Sequence, residues 1–256
     1  MSASTRSPKL RVATYNIRKS IGTDRRRRPE RVLAVLRELD ADVVAVQEVD
    51  RRFGDRSTAL PPEVIAEETG YMPVRFGIRP ESLGWHGNML LVRRDTEVMS
   101  TQRIELPALE PRGAVLADLR VGGTAVRVIG MHLGLLGLWR KRQARAVLMC
   151  LEALEDPLPT VMMGDLNEWV MDGGCLKLFA RHHHVAAPGP SFHSRRPMAA
   201  LDRIITSLDL RVEAAGVHLS PKSRVASDHL PVWADIVPAG PTAAAERHHV
   251  AQSPLI

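Results

Sequence analysis

The first 50 residues change from a strand-like pattern of apolar residues to a helical pattern and back again. Residues 10–17 are rich in strand formers and carry Asn16 near their end. Pro29 suits the first turn of a helix, and apolar residues then recur at helical spacing for about 11 residues. Residues 43–46 form a short continuous apolar run, typical of a strand buried on both faces. This order predicts two parallel strands joined by a helix that covers one face.

The rest of the chain is predicted as short strands with three further helices. The predicted strands are 71–77, 88–93, 98–106, 114–119, 125–132, 160–163, 198–207, 211–219 and 232–237, and the predicted helices are 61–69, 139–155 and 173–180. Gly122 and Gly123 predict a tight hairpin, so the middle strands are expected to be antiparallel. The histidines at 182–184 follow a short helix and are interpreted as a solvated loop.

The domain organisation is predicted to be simple. No linker interrupts residues 9–238, so we expect one domain there, preceded by a disordered leader (1–8) and followed by a flexible tail (239–256). No apolar run approaches the ~18 residues that span a bilayer, and the start of the chain lacks the apolar core of a signal peptide. We therefore expect a cytoplasmic protein, with peripheral membrane contact as the alternative setting.

Composition narrows the function classes only in part. Hydrophobic residues make up 45% of the chain, as in an ordinary globular protein. The 2 cysteines exclude a disulfide scaffold and a four-cysteine zinc site. A formal net charge of +6 favours polyanionic partners, which include nucleic acid, anionic lipid headgroups and phosphorylated metabolites.

Polar groups recur where predicted strands end. They are Asn16, Glu48, His132, Asp165 with Asn167, Asp202, and the pair Asp228-His229 on the loop before the last strand. Such groups cost several kcal/mol in an apolar setting unless they are paired or bind metal. Asp, Glu and Asn are hard oxygen donors, so the set suits Mg²⁺ or Mn²⁺ and does not suit structural zinc. A histidine beside a carboxylate can act as a general base on water.

Seven short motifs in this order resemble the endonuclease/exonuclease/phosphatase superfamily of DNase-like phosphoesterases, and most closely its bacterial metal-dependent hydrolases. The match covers residues 10 to 237, and the order of the motifs is more specific than any one of them. The motifs are Tyr15-Asn16-Ile17-Arg18, Gln47-Glu48-Val49, Gly87-Asn88, Met131-His132-Leu133, Gly164-Asp165-Leu166-Asn167, Leu201-Asp202-Arg203-Ile204 and Ser227-Asp228-His229-Leu230-Pro231-Val232.

The resemblance implies an α/β fold: a four-layered α/β sandwich, with two mixed β-sheets packed face to face and helices outside. It also implies a Mg²⁺-dependent (or Mn²⁺-dependent) phosphoester hydrolase. Metal binding would fall to Glu48, helped by Asn16 and Asp228, and substrate binding to Arg18 and Asn88. The catalytic set would be His229, Asp202, Asp165, His132 and Asn167. Asp202 would orient His229, which activates water or stabilises the transition state, although Asp165 is the alternative general base. His132 would donate to a phosphate oxygen.

The substrate class stays open between hypotheses. The apolar stretch 134–139 follows His132 and is followed by Arg140, Lys141, Arg142 and Arg145, which favours a lipid headgroup or another small phosphoester and contact with an anionic membrane surface. The alternative interpretation of this apolar stretch is that its leucines pack beneath the loop. The arginine run 25–28 and the net charge favour instead an endonuclease or exonuclease on DNA or RNA, although aromatic residues make up only 4% of the chain. A third hypothesis, a catalytically silent binding module, is disfavoured because the acidic and histidine set is intact.

Overall fold

Two strand–helix–strand units bring the polar strand ends to one edge of the fold. The computed structural model describes residues 9–50, 58–76, 84–107 and 109–240. The strands are β1 (Leu10–Asn16), β2 (Val43–Gln47), β3 (Tyr71–Pro73), β4 (Met89–Arg93), β5 (Glu97–Glu105), β6 (Gly113–Val121), β7 (Thr124–His132), β8 (Thr160–Asp165), β9 (His183–Ala186), β10 (Asp202–Ser207), β11 (Leu210–Val217) and β12 (Val232–Pro238). The helices are α1 (Pro29–Leu39), α2 (Pro62–Thr69), α3 (Gly137–Glu152), α4 (Leu176–Phe179) and α5 (Ser223–Ala226).

The strands form two six-stranded mixed sheets. The first sheet has the order β11-β12-β1-β2-β4-β3, and the second has the order β5-β6-β7-β8-β10-β9. In the first sheet β1 and β2 are parallel across α1, and in the second β7 and β8 are parallel across α3. The β5–β6–β7 stretch is antiparallel, as the glycine pair predicted.

Three apolar clusters separate four layers. Val12 and Leu90 of the first sheet pack with Val128 of the second in the cluster between the sheets. The outer face of the first sheet packs against α1, and that of the second sheet packs against α3 and α4. The predicted four-layered sandwich is therefore confirmed. None of the helices in the described ranges is long and apolar enough to cross a bilayer.

Several predicted boundaries were wrong. Helix α3 spans Gly137–Glu152, so it begins and ends earlier than the predicted 139–155. The histidines at 183 and 184 belong to β9, an edge strand that pairs with β10, whereas a solvated loop was predicted. Strand β10 begins at Asp202 and not at residue 198. The two strand features depend on pairing between distant segments, which a local pattern does not carry. The predicted leader, residue 77 of the third predicted strand and residues 241–256 of the tail lie outside the described residues.

Strand register aligns the polar ends of the second sheet. His132 on β7 and Asp202 on β10 both pair with Asp165 on β8, so three side chains share one line across three strands. Strands β7 and β8 lie so close together just before this line that a Cβ on Gly164 would be 1.8 Å from the carbonyl oxygen of Met131. In the first sheet Asn16 pairs with Gln47, which places Glu48 beside the end of β1.

Candidate active site

Asp165 lies at the centre of the cluster and is 1% exposed. Its Oδ2 accepts a hydrogen bond from Nδ2 of Asn16 at 2.9 Å, which links the two sheets. The Nε2 atoms of His132 and His229 lie 3.4 and 3.7 Å from the same oxygen. The other oxygen, Oδ1, accepts the backbone N–H of Asn167 at 2.9 Å. Four of the predicted site residues therefore converge on one carboxylate.

Asp202 and His229 form the predicted dyad. The Nδ1 atom of His229 lies 2.9 Å from Oδ2 of Asp202, and the Ser191 hydroxyl donates to that oxygen at 2.5 Å. The ring of Phe192 packs against the His229 ring, with centroids 5.0 Å apart. With Nδ1 turned to Asp202, the Nε2 of His229 faces Asp165.

Mutual electrostatics set the protonation states of this cluster. Burial opposes charge on His229, but the carboxylates of Asp202 and Asp165 outweigh it and raise the pKa of His229 to about 10. Burial also opposes the ionisation of Asp165, but His229, His132 and Asn16 outweigh it and hold the pKa of Asp165 below its usual range. For Asp202 burial prevails, and its pKa is raised.

His132 lies between Asp165 and Arg112. Nη1 of Arg112 is 2.6 Å from Nε2 of His132 and 2.9 Å from Nδ1. Nη2 of Arg112 donates to Glu110 at 3.1 Å. Both His132 and Arg112 are buried. Arg112 thus adds a positive group beside the histidine that was predicted to hold a phosphate oxygen.

The loop after β8 is held by a buried ion pair. Asn167 has a φ of 50°, and its Nδ2 donates to the carbonyl of Leu133 at 3.0 Å. The next residue, Glu168, pairs with Arg140 at 3.2 Å, and Cys175 N–H donates to Glu168 at 3.0 Å. These contacts fix the backbone that carries Asn167.

The predicted metal ligands lie at the ends of the first sheet, each carboxylate beside a cation. Glu48 pairs with the ammonium of Lys19, and Asp228 lies 3.3 Å from Nε of Arg18. Oδ1 of Asn16 accepts the backbone N–H of Arg18 at 3.1 Å. Carboxylate and amide oxygens are the donors that a divalent cation such as Mg²⁺ prefers, and each of the two carboxylates here is paired with a cationic side chain.

The turn that carries those cations has an uncommon backbone. Arg18, Lys19 and Ser20 have φ values of 47°, 55° and 60°. This left-handed region costs about 1–2 kcal/mol per residue for L-amino acids. Strain of this kind gathers at functional sites.

Asn88 lies apart from the Asp165 cluster in its contacts. It is fully buried, and its Nδ2 donates to the carbonyl of Gly113 at 2.9 Å. Its Oδ1 has no hydrogen-bond partner within the described ranges. A Cβ on the preceding residue, Gly87, would lie 3.5 Å from the Cα of Glu48, so this turn borders the predicted metal ligand.

Among the described residues, one group has ligand atoms within 4.8 Å of one another, namely Asp165, Asp202 and His229. It is distinct from the predicted ligands Glu48, Asn16 and Asp228. The strand ends therefore offer oxygen donors on both sheets.

Four residues of the site were missed from the sequence. Ser191, Phe192, Arg112 and Lys19 lie in loops or turns without a regular pattern. Arg112 and Ser191 carry a weak signal, since each lies between a proline and a glycine or aromatic residue close to a strand. Nothing local shows that their partners lie 20 and 11 residues away.

Two mixed six-stranded sheets with outer helices and a carboxylate–histidine edge define the DNase I-like α/β sandwich. The chain belongs to the Endonuclease/Exonuclease/phosphatase family, because residues 13–229 match the sequence profile of that family. Proteins of this family hydrolyse phosphoesters.

Individual relatives are distant. The chain is 28% identical over 253 residues to the uncharacterized protein YbhP of Escherichia coli, which covers 89% of this chain and 96% of YbhP. An endonuclease/exonuclease/phosphatase structure from Beutenbergia cavernae is 24% identical, with a TM-score of 0.68, over 91% of this chain and 72% of that one. A mannosyl-6-phosphatase from Bacteroides thetaiotaomicron is 18% identical, with a TM-score of 0.71, over 89% of this chain and 99% of that one. The two structural comparisons show a shared fold.

Proposed function

We propose that the protein is a Mg²⁺-dependent phosphoester hydrolase, a phosphodiesterase or phosphatase that activates water with the Asp202–His229 dyad. The main support for the proposal is the convergence of His229, His132 and Asn16 on Asp165. Asp202 is hydrogen-bonded to Nδ1 of His229, on the opposite edge of the ring. Membership of a family of phosphoester hydrolases supports the same reaction class.

Each residue of the site has a separate role in the proposed reaction. Asp202 holds Nδ1 of His229, which directs Nε2 toward the position beside Asp165 where water would be deprotonated. Because the pKa of His229 is raised to about 10, the ring would be charged at neutral pH and would stabilise the transition state, and it would act as the base only after it releases that proton. Asp165 orients that water and is the alternative base. His132, backed by Arg112, and the amide of Asn167 would donate to phosphate oxygens as charge builds. Arg18 and Asn88 are proposed as substrate-binding groups.

Mg²⁺ would be held by Glu48, with Asn16 and Asp228, and would supply Lewis-acid stabilisation of a phosphate oxygen. Mn²⁺ satisfies the same donors. Glu48→Gln should weaken the rise in melting temperature that added Mg²⁺ produces, because binding to the native state alone stabilises it. An unchanged Mg²⁺ titration would remove Glu48 from the metal site.

As substrate we propose a lipid headgroup or another small phosphoester. Leu135, Leu136 and Leu138 are 60–62% exposed and follow His132 closely in the chain. The alternative that they pack beneath the loop does not agree with this exposure. We further propose a cytoplasmic setting, in keeping with two free thiols at Cys150 and Cys175, and cell fractionation checks it.

A nuclease is the second candidate function. Arg25, Arg26, Arg27 and Arg28 are exposed on the loop that follows the strained turn. Such a cationic loop could hold the phosphates of DNA or RNA.

A phosphoester panel tests the proposal. Wild-type protein and His229→Ala are assayed with Mg²⁺ on a soluble diester, a soluble monoester, lipid phosphoesters and plasmid DNA. We expect turnover on lipid or small esters and a loss of about 10²–10⁴-fold in His229→Ala. His184→Ala is the matched control, because His184 is exposed on β9 away from the dyad. Plasmid nicking at turnover rates with no lipid or small-ester hydrolysis would favour the nuclease instead. Near-wild-type turnover by a folded His229→Ala would remove the dyad from catalysis.

A further inference from the structure

Six large apolar side chains are exposed on two segments, which are the loop after β7 with the first turn of α3 and the loop after β8. We name them the apolar rim: Leu135 (62% exposed), Leu136 (60%), Leu138 (61%), Trp169 (62%), Val170 (57%) and Met171 (53%). Large exposed apolar patches on proteins mark interaction sites.

The apolar rim is held in place from beneath. Arg140 pairs with Glu168 and donates to the carbonyl oxygen of Leu135, so one guanidinium spans both loops. Glu168 also accepts the backbone N–H of Val170 at 3.3 Å. The leucines therefore stay exposed while the polar groups of their loops are satisfied inside.

The apolar rim also reaches the catalytic histidine. The ring of Trp169 packs edge to face on Phe192, with centroids 6.1 Å apart, and Phe192 packs on His229. A molecule that meets Trp169 is thus two aromatic contacts from the dyad.

Two further loops, residues 23–27 and 193–196, carry a set of exposed arginines. We name them the arginine rim: Arg25, Arg26, Arg27, Arg195 and Arg196. Its two loops are tied together, because Nη2 of Arg195 donates to the carbonyl of Thr23 at 3.1 Å. They are also tied to the loop of the dyad, since Ser194 N–H donates to the carbonyl of Asp228 at 2.7 Å.

We propose that the apolar rim and the arginine rim together form a docking face for a bilayer that carries anionic lipids. The apolar side chains would enter the interface, and the arginines would meet the headgroup phosphates. Nucleic acid would match the arginine rim but would leave four aliphatic side chains and Met171 against water and phosphate. The bilayer accounts for both rims, and it would present a lipid phosphoester directly to His229. This inference deepens the proposed function by naming the partner surface.

Vesicle binding by the full chain tests the docking face apart from catalysis. His229→Ala protein is sedimented with phosphatidylcholine vesicles and with mixed phosphatidylcholine/phosphatidylglycerol vesicles. We expect binding to the mixed vesicles that weakens with salt, and a blue shift of tryptophan fluorescence that Trp169→Phe reduces. Leu135→Ser/Leu136→Ser and Arg25→Gln/Arg27→Gln, in the same background, should each weaken binding by more than about tenfold. Met72→Ser/Val98→Ser is the control, since both side chains are 42% exposed on edge strands and should leave binding unchanged.

Three outcomes would overturn the docking face. They are the absence of binding to anionic vesicles, binding that neither rim variant changes, and binding of single-stranded DNA that the arginine variant abolishes while vesicles are ignored. Hydrolysis of a soluble diester by wild-type protein is measured in parallel. Loss of vesicle binding with retained hydrolysis would reject the face and keep the proposed reaction, whereas the reverse would reject the reaction alone.

Discussion

Asp202 is fully buried and accepts hydrogen bonds from both Ser191 and His229 on one oxygen. The amide of Asn in its place would present an N–H₂ group or a neutral oxygen to Nδ1 of His229. We therefore expect Asp202→Asn to lower kcat by about 10²–10⁴-fold on the best ester of the panel, with a smaller change in KM. Steady-state kinetics with Mg²⁺ measure this.

A matched variant separates orientation from packing at this position. Ser191→Ala removes the second hydrogen bond to Asp202 and leaves the bond to His229, so its loss of kcat should be smaller. Equal losses in the two variants, both folded by circular dichroism, would contradict a special role for the bond between Asp202 and His229.

Glu38 ties α1 to the segment that leads into α5. Its Oε2 accepts the Ser220 hydroxyl at 2.6 Å and lies 2.9 Å from Nε2 of His218, while Lys222 reaches Oε1 at 3.0 Å. Burial opposes ionisation, but these partners outweigh it and lower the pKa of Glu38 from 4.5 to about 2. A lowered pKa stabilises the folded state above the ordinary glutamate pKa, and that contribution is lost as pH falls toward the folded-state value.

Glu38→Gln should therefore destabilise the protein at neutral pH by about 1–2 kcal/mol. The difference from wild type should shrink between about pH 4.5 and pH 2. Urea unfolding across this range measures it. Glu67→Gln on the exposed face of α2 is the control and should change stability little at any pH. A constant difference from wild type at all pH values would show that the charge of Glu38 contributes nothing.

At the scale of elements, the Arg140–Glu168 pair joins α3 to the loop after β8. The two side chains are 9% and 2% exposed. Removing one partner leaves a buried charge, so Arg140→Met should cost about 3–5 kcal/mol of unfolding free energy. Arg140→Met/Glu168→Met should recover part of that loss, because both charges are gone. Denaturant unfolding of the three proteins gives the comparison.

The same pair should also affect catalysis through Asn167. If the double variant regains stability while kcat stays low, the ion pair has a second role besides stabilising the fold, which is to position the loop that carries Asn167. Recovery of kcat together with stability would mean that its role is only structural.

At the scale of the whole molecule, we expect one cooperative unfolding transition for residues 9–238. The cluster between the sheets draws on strands from both ends of the chain, including β1 and β12. Far-ultraviolet circular dichroism and tryptophan fluorescence should therefore give coincident melting curves. Two separated transitions would show that the sheets unfold independently and that the chain holds more than one domain.

The architecture could be predicted because its signals are local or ordered along the chain. Apolar periodicity located β1, α1 and β2, and the order of seven motifs indicated the two-sheet sandwich. The strand ends that carry His132 and Asp165 could be located for the same reason, since each combines an apolar run with a polar residue, whereas the start of β10 at Asp202 was predicted at residue 198.

What escaped prediction depends on pairing across the chain. β9 is four residues long and owes its conformation to β10. The cation partners of Glu48 and Asp228 follow from a left-handed turn of Arg18, Lys19 and Ser20, and none of these residues is glycine. A left-handed turn without glycine gives no sequence signal.

The hydrogen bond from Asn16 to Asp165 joins β1 of one sheet to β8 of the other. The geometry of the candidate site therefore depends on how the two sheets are aligned. Residues far from the site, such as Leu90 and Val128, pack between the sheets, and we expect their packing to influence that alignment. A smaller side chain there, as in Leu90→Val, would leave a cavity between the sheets, so we expect turnover and melting temperature to fall together.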